Sequence, residues 1–526
     1  MFGFGLSRRD LLLSGAAGAV TAVAPHQAVQ AASMPFTVVL ESEVVILDPH
    51  MTTAAITRTF GYHIFDTLFS MDSKGRTHPQ MVGDYNAAQN GLLWSFTLRD
   101  GLKWHDGADV TASDCVASLQ RWGKLDSLGR MLLAATDMIT ADDPRRFSIA
   151  LNQPFPLMLD VLGKPNAPVP FMMPARIMQA AGAGRITEII GSGPFVFRPD
   201  QWRAGDAMVL GRNAAYLPRQ EAADFLSGGK VVHVDEVVLR VMPDQATGAN
   251  ALMAGEIDYM QFLPFDLLGP LAKADGVTLM ELSGPDMYQG NFRLNHASGP
   301  FADPAVRQVL WKLVNQDEIL TAIGVPDRFR LKSCPSYFMC GTPLETNAGA
   351  EVARFSIADA KAELARTKYR GEPVVMLEVA GSISQTAGNV LAQNMKQAGF
   401  AVDEQLMDWG TVLSRRGKRE GWSLFPVYSN GTDMESPLTH FYITNNCGDY
   451  PGWSCDPATT LLLTQFANAA SADDRQAIAA KIQAAAYESV PAVMWGQFAI
   501  PVGYRSRVRN LIPSAFPMLW NVQIAA

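Results

Sequence analysis

Hydrophobic and polar positions change period repeatedly along the chain, and the changes predict alternating strands and helices. Phe36-Thr37-Val38-Val39-Leu40 is a short apolar run rich in β-branched residues and reads as a strand. Trp94–Arg99 alternates apolar and polar side chains at period two, the pattern of a strand with one buried face. Thr111-Ala112-Ser113-Asp114 opens a helix: Thr111 is a good N-cap, and Asp114 stands where an acid comes close to completing a capping box. Val231–Val241 reads as a further strand, followed by a helix over Asp244–Ala254 that Gly255 stops. Ala302–Ile319, Ser356–Thr367, Ser384–Ala398 and Ser471–Glu488 carry helical periodicity. Strands at Val374–Val379 and Phe400–Leu406 flank one of these helices as a βαβ unit. The Pro-rich stretch Pro165–Pro174 reads as irregular and at the surface. The pattern predicts a mixed α/β chain without internal repeats.

Composition adds size and compartment. The 526 residues exceed one ordinary core, so two or three lobes are expected. Charged residues make up 18%, against about 25% in an average globular protein, and 48% of residues are hydrophobic, so the chain folds. A formal net charge of −8 argues against a nucleic-acid surface, which needs clustered basic residues. No apolar run is long enough for an interior membrane span. The first residues form an address. Ser7-Arg8-Arg9-Asp10-Leu11-Leu12-Leu13 is a twin-arginine pattern, followed by the weakly apolar Ser14–Ala24 and by Val29-Gln30-Ala31, which suits signal peptidase. Residues 1–31 are therefore expected to be a signal peptide, with the folded precursor exported to the periplasm by the twin-arginine route. The first cysteine is Cys115, so a soluble mature protein without a lipid anchor is expected. Cys447 and Cys455 bracket a loop containing Gly and Pro, and Cys334 and Cys340 bracket another short segment; both pairs suit periplasmic disulfides. Cys115 is expected to be a buried free thiol, and no Cys-x₂-Cys spacing points to a metal.

Several short blocks then stand in one order and spacing. They are Leu47-Asp48-Pro49, Phe65-Asp66-Thr67-Leu68, Trp94–Arg99, Gly101-Leu102-Lys103-Trp104-His105-Asp106-Gly107 and Thr111–Asp114. Gly191-Ser192-Gly193-Pro194-Phe195, Ala251–Asp258, Leu294-Asn295 and Pro300–Gln308 follow. Together they resemble the bacterial extracellular solute-binding proteins of family 5, receptors of ATP-driven importers for dipeptides, oligopeptides, nickel chelates and related solutes. The resemblance implies an α/β, two-lobed periplasmic binding protein fold, type II, of the large three-subdomain variety, with a hinge and an interlobe cleft. It implies a first lobe from residues 32–80, 190–284 and 499–526, with an inserted subdomain over 81–189, and a second lobe over 285–498. The implied partners are a small-molecule or peptide solute and a membrane permease of an ATP-binding-cassette importer, with no cofactor, no catalytic residue and a monomeric state.

Most blocks read structurally. Trp104-His105-Asp106-Gly107 is a turn rather than a catalytic pair, and Gly191–Pro194 is a tight strand entry rather than a phosphate cradle. Glu256 and Asp258 are expected to cap or face solvent, and Arg307 to be an ion-pair partner. Ligand chemistry is expected further on. By the family's pattern, Trp409 packs on the solute, Arg416 serves a carboxylate, and Asp433 pairs with the solute's amine; the neighbours of Asp433 from Ser429 to Tyr442 include no Lys or Arg, and only His440 could offer it a charge. Asn430 and Thr432 flank that acid, with Asn430 and Met434 standing where peptide binders carry Trp and Tyr. The strand Tyr288–Asn295 places Gln289, Asn291, Arg293 and Asn295 on one face, which suggests a wet cleft wall, with Tyr288 on the other face and Arg293 meeting an anionic group. Trp495 lies on a segment crossing back between the lobes. Two alternatives remain: a metal-chelate receptor using His50, His63 and His440, and a secreted enzyme, for which no Gly-x-Ser-x-Gly or His-Glu-x-x-His is present.

Overall fold

The computed structural model describes residues 35–469 and 471–525. The twin-arginine segment and its cleavage site lie outside the described residues. Three larger sheets carry the fold. The first has seven strands in the order Phe195–Arg203, Ala207–Arg212, Glu236–Arg240, Phe36–Val39, Tyr259–Met260, Val502–Arg505 and Val277–Met280. The second has five, in the order Val402–Met407, Val374–Val379, Leu424–Asn430, Tyr288–Leu294 and Ala492–Phe498. The third has four, Val82–Ala88, Leu93–Leu98, Arg146–Leu151 and Thr136–Ala141, and is antiparallel throughout.

Local chemistry explains most boundaries. Phe36–Val39 runs parallel to both neighbours, Glu236–Arg240 and Tyr259–Met260, and its Phe36 and Val38 are fully buried, as an apolar central strand requires. The helix Ala112–Leu125 begins with a complete capping box between Thr111 and Asp114. The helix Gln245–Ala254 is capped by Asp244 and ends at Gly255, whose φ of 78° suits glycine. Val374–Val379 pairs in parallel with Val402–Met407 across the helix Ile383–Ala398, a βαβ unit.

Four expectations are corrected. The periodic stretch Ala302–Ile319 is not one helix. Pro304 starts a short helix, Pro304–Val309, and Asn315 restarts another, Gln316–Ile323, by accepting a bond from the Glu318 amide. Within Val231–Val241 only Glu236–Arg240 is strand, because the Val231 amide donates to the Asn521 side chain instead of a ladder. Pro165–Pro174 is buried rather than at the surface and is irregular except for the two-residue strand Phe171–Met172, and the Pro168 carbonyl accepts bonds from Trp122 Nε1 at 2.9 Å and Lys164 Nζ at 2.8 Å. Asp258 does not face solvent. It accepts from the Thr37 amide at 3.0 Å and pairs with Arg507 at 2.7 Å, tying the central strand to the C-terminal segment.

The turn at Gly107 and the strand entry at Gly191 lock onto each other. The Gly191 amide donates to His105 Nδ1 and His105 Nε2 meets the Gly193 carbonyl, both at 3.2 Å. A Cβ on Gly191 would lie 1.9 Å from the Ile64 carbonyl oxygen, so only glycine fits. Asp106 pairs with Arg176 rather than with His105. Arg307 gives its nitrogens to the Phe301, Ala302 and Ser489 carbonyls, so it binds backbone instead of a carboxylate. Disulfides join Cys334 to Cys340 and Cys447 to Cys455, and Cys115 is a buried free thiol. No described helix is long and apolar enough to cross a membrane.

Candidate ligand-binding cleft

A cleft of about 1060 Å³ is walled by segments belonging to two of the sheets. Glu41 and Ser42, which follow the strand Phe36–Val39, and the start of the helix Ala55–Ile64 form one wall. Tyr288, Arg293, Trp409, Arg416, Tyr428 and Asp433, on or beside the five-stranded sheet, form the other, and Phe441, Tyr442 and Tyr450 close one end. Aromatic faces and charges of both signs therefore share one concave surface, the usual make-up of a small-solute site.

The short helix Gly431–Met434 presents Asp433 at the end of the strand Leu424–Asn430. Asp433 has a counter-ion within the fold. Arg58 projects from the helix Ala55–Ile64 and places Nη1 2.5 Å from Asp433 Oδ1, with both side chains buried. Burial raises the Asp433 carboxyl above its ordinary range, and Arg58 opposes the rise. The other acid at this end is Glu41, whose carboxyl burial pushes up to about 7, with Arg58 opposing and Asp433 adding to the rise. Tyr288 and Tyr428 flank this end with ring centroids 5.6 Å apart and nearly perpendicular, and Tyr288 donates to the Ala515 carbonyl at 2.8 Å.

The opposite end is cationic. Trp409 opens the helix Trp409–Arg416, capped by Asp408, and the Arg416 guanidinium lies 5.5 Å from the Trp409 ring centroid. Burial, with Arg293 nearby, lowers the Arg416 pKa to about 10. Arg293 is buried among the rings of Tyr450, Tyr442 and Phe425 at 4.4, 4.7 and 5.3 Å, and Nη2 donates to the Tyr450 hydroxyl at 2.7 Å.

Five of the expected residues thus line the cleft together: Asp433, Trp409, Arg416, Arg293 and Tyr288. Asn430 and Thr432 stand behind it. The Asn430 side chain accepts from the Thr432 amide and hydroxyl and so caps the Asp433 helix. Trp495 is core: it is fully buried in the sheet against Gly290 and donates to the Val427 carbonyl. The wet face expected along Tyr288–Asn295 is dry. Gln289 donates to the Ser336 carbonyl and Asn295 to those of Arg419 and Trp422, while Asn291 accepts from Tyr442, so neighbouring segments cover three of its four polar side chains. His440 offers no charge, since burial among Tyr337, Phe338 and Tyr442 lowers its pKa to about 3. His50 and His63 serve packing and backbone bonds, at the Phe171 and Thr59 carbonyls, and no group of three or more metal-ligating side chains forms among the described residues. Glu41, Arg58, Tyr428, Tyr442 and Tyr450 escaped the sequence reading. The one available signal was Arg58 itself, a lone cation in the otherwise uncharged run Ala54–Ile64.

Comparison with solved structures defines the class. Over 94% of this chain and 99% of theirs, the coordinates match the AgaA binding protein in complex with agropinic acid from A. tumefaciens R10, at 20% identity and a TM-score of 0.80. They match DppA from Helicobacter pylori in complex with the peptide STSA at 18% identity and a TM-score of 0.79, over 94% of this chain and 98% of that one. The fold is the two-lobed, type II periplasmic binding protein fold. Residues 76–451 match the model of the bacterial extracellular solute-binding proteins, family 5, and the chain belongs to that family. It is 34% identical to the probable peptide ABC transporter periplasmic-binding protein y4tO of Sinorhizobium fredii, over 99% of this chain and the whole of that one.

Proposed function

We propose that the chain is a periplasmic receptor that closes its two lobes on a small, amine-bearing peptide or peptide-like solute and delivers it to the permease of an ATP-binding-cassette importer. The carrying observation is the cleft itself: about 1060 Å³, with Glu41 at one end and two guanidiniums at the other. The peptide named for the y4tO relative and the peptide in the DppA complex support the solute class. The solute's ammonium lies against Glu41, because Arg58 already neutralises Asp433. Trp409 packs on an apolar part, and Arg416 receives a carboxylate. The two lobes proposed to close are residues 32–80, 190–284 and 499–526 against residues 285–498, with 81–189 inserted in the first. The receptor acts by binding alone, as a monomer. A screen of dipeptides by thermal shift tests this: stabilisation with the peptide recovered unchanged supports it, and hydrolysis of any of them refutes it.

Export by the twin-arginine route is part of the same reading, motivated by Arg8-Arg9. Replacing both by Lys should leave precursor in the cytoplasm, and normal export of that variant would exclude the route.

A further inference from the structure

Four of the six buried Arg and Lys side chains among the described residues come with counter-ions. Arg58 pairs with Asp433, Arg121 with Asp48 at 2.7 Å, Lys164 with Asp126 at 2.6 Å and Lys230 with Asp66 at 2.9 Å. Arg307 instead gives its nitrogens to three backbone carbonyls, and Arg293 follows neither pattern. No carboxylate pairs with it among the described residues, and its buried Nε and Nη1 have no hydrogen-bond partner. Its charge rests on three aromatic faces and one phenol. Such faces stabilise a cation but do not replace the water and counter-ion it has lost. Arg293 is also, unlike Arg121, Lys164 and Lys230, a residue that lines the cleft.

Arg416 stands beside it, equally without a carboxylate partner among the described residues. The two guanidiniums share one ring, lying 5.3 Å and 6.0 Å from the Phe425 centroid. Once Asp433 is cancelled by Arg58, the cleft holds one carboxylate, Glu41, against two cations. A simple dipeptide brings one ammonium and one carboxylate, which balance Glu41 and a single Arg. A second carboxylate balances all three, and guanidinium is the side chain suited to binding it through two parallel bonds.

We propose that Arg293 and Arg416 form an anion-binding end of the cleft, and that the solute is a net-anionic, peptide-like zwitterion with a second carboxylate placed there. This rests on the receptor reading above, and the test separates the two. Calorimetry compares Ala-Glu with Ala-Gln, which are close in shape and differ by one negative charge. The wild type should prefer Ala-Glu by about tenfold or more, the scale of one charge-assisted contact. Arg293→Met should bring that ratio close to one. Should Arg293→Met not fold, Arg416→Gln, in the last turn of its helix, should lower the ratio as well. Glutarate against glutaramide in a thermal-shift assay supplies the independent arm. If glutarate stabilises the wild type but not the Arg variants, the anion end stands even when neither dipeptide binds, and only the peptide reading falls. Equal affinity for Ala-Glu and Ala-Gln, a preference that survives in Arg293→Met or Arg416→Gln, or no response to either acidic probe overturns the inference.

Discussion

Asp433→Asn should damage the fold rather than merely weaken a ligand contact. The exchange is nearly isosteric, so it opens no cavity, and its whole effect is the loss of one charge. That charge faces Arg58, whose guanidinium is buried and bonded to Asp433 at 2.5 Å, while Arg58 Nε and Nη2 have no hydrogen-bond partner. Removing one member of a buried pair typically costs about 3–5 kcal/mol, because the other ion stays desolvated. The Phe516 ring, 4.6 Å from the Arg58 guanidinium, offsets about 2 kcal/mol of this at most. A net loss of about 1–5 kcal/mol is a large share of the roughly 5–15 kcal/mol that holds a typical protein folded. Urea unfolding of solute-free protein, followed by tryptophan fluorescence, reads this as a lower midpoint at unchanged slope. The double variant Arg58→Met/Asp433→Asn should recover most of the loss, since no buried charge remains. The reasoning is refuted if Asp433→Asn unfolds within about 0.5 kcal/mol of wild type yet loses solute affinity.

Solute affinity should depend on pH through Glu41. Its pKa, raised to about 7, leaves the carboxyl largely protonated at pH 5, so affinity for an ammonium should rise through about pH 7 and level above it. The same raised pKa favours the solute-free fold fully below the unfolded value, and that contribution is lost as pH rises through about 7. Arg58, Asp433, Tyr288 and Tyr428 face Glu41, and burial also pushes half-buried Glu435 up to about 7, so the wild type must be compared with Glu41→Gln, which should flatten the binding curve. Trp409→Ala should weaken binding by about 5–30-fold, from loss of one aromatic face, with little change in the unfolding midpoint; unchanged affinity would place the solute elsewhere. Replacing Cys447 and Cys455 by Ser should cost about 2–4 kcal/mol and also weaken Ala-Glu binding, because the loop they close carries Tyr450, the acceptor for Arg293. Equal Ala-Glu affinity in that variant would separate the loop from the anion end.

What the sequence made legible was local. Thr111 with Asp114, Asp244 with Gly255, and the βαβ unit around Ile383–Ala398 depend on neighbours a few residues apart, and each formed where capping and period placed it. The cleft is made by distant residues. Arg58 and Asp433 are 375 positions apart, so the neighbourhood of Asp433 in sequence shows no cation while its neighbourhood in space contains one. The strand Tyr288–Leu294 alternates as a half-wet strand would, yet it lies between two other strands and under the loops that bond Gln289, Asn291 and Asn295. Arg293 alone among those polar residues reaches the cleft, and its difference from the others is the aromatic enclosure supplied by Tyr442 and Tyr450 from a later segment. Glu41 stood in the polar triplet Glu41-Ser42-Glu43, where nothing in the pattern distinguishes a cleft carboxylate from a solvated one.

Mass spectrometry of protein isolated without denaturation from its own periplasm tests the central claim most directly. The account predicts a single low-mass solute at about one per chain, carrying an amine and two carboxylates, released chemically unchanged on unfolding and absent from the Trp409→Ala/Arg416→Gln variant. A solute retained equally by that variant, or one recovered as a cleaved product, would contradict it.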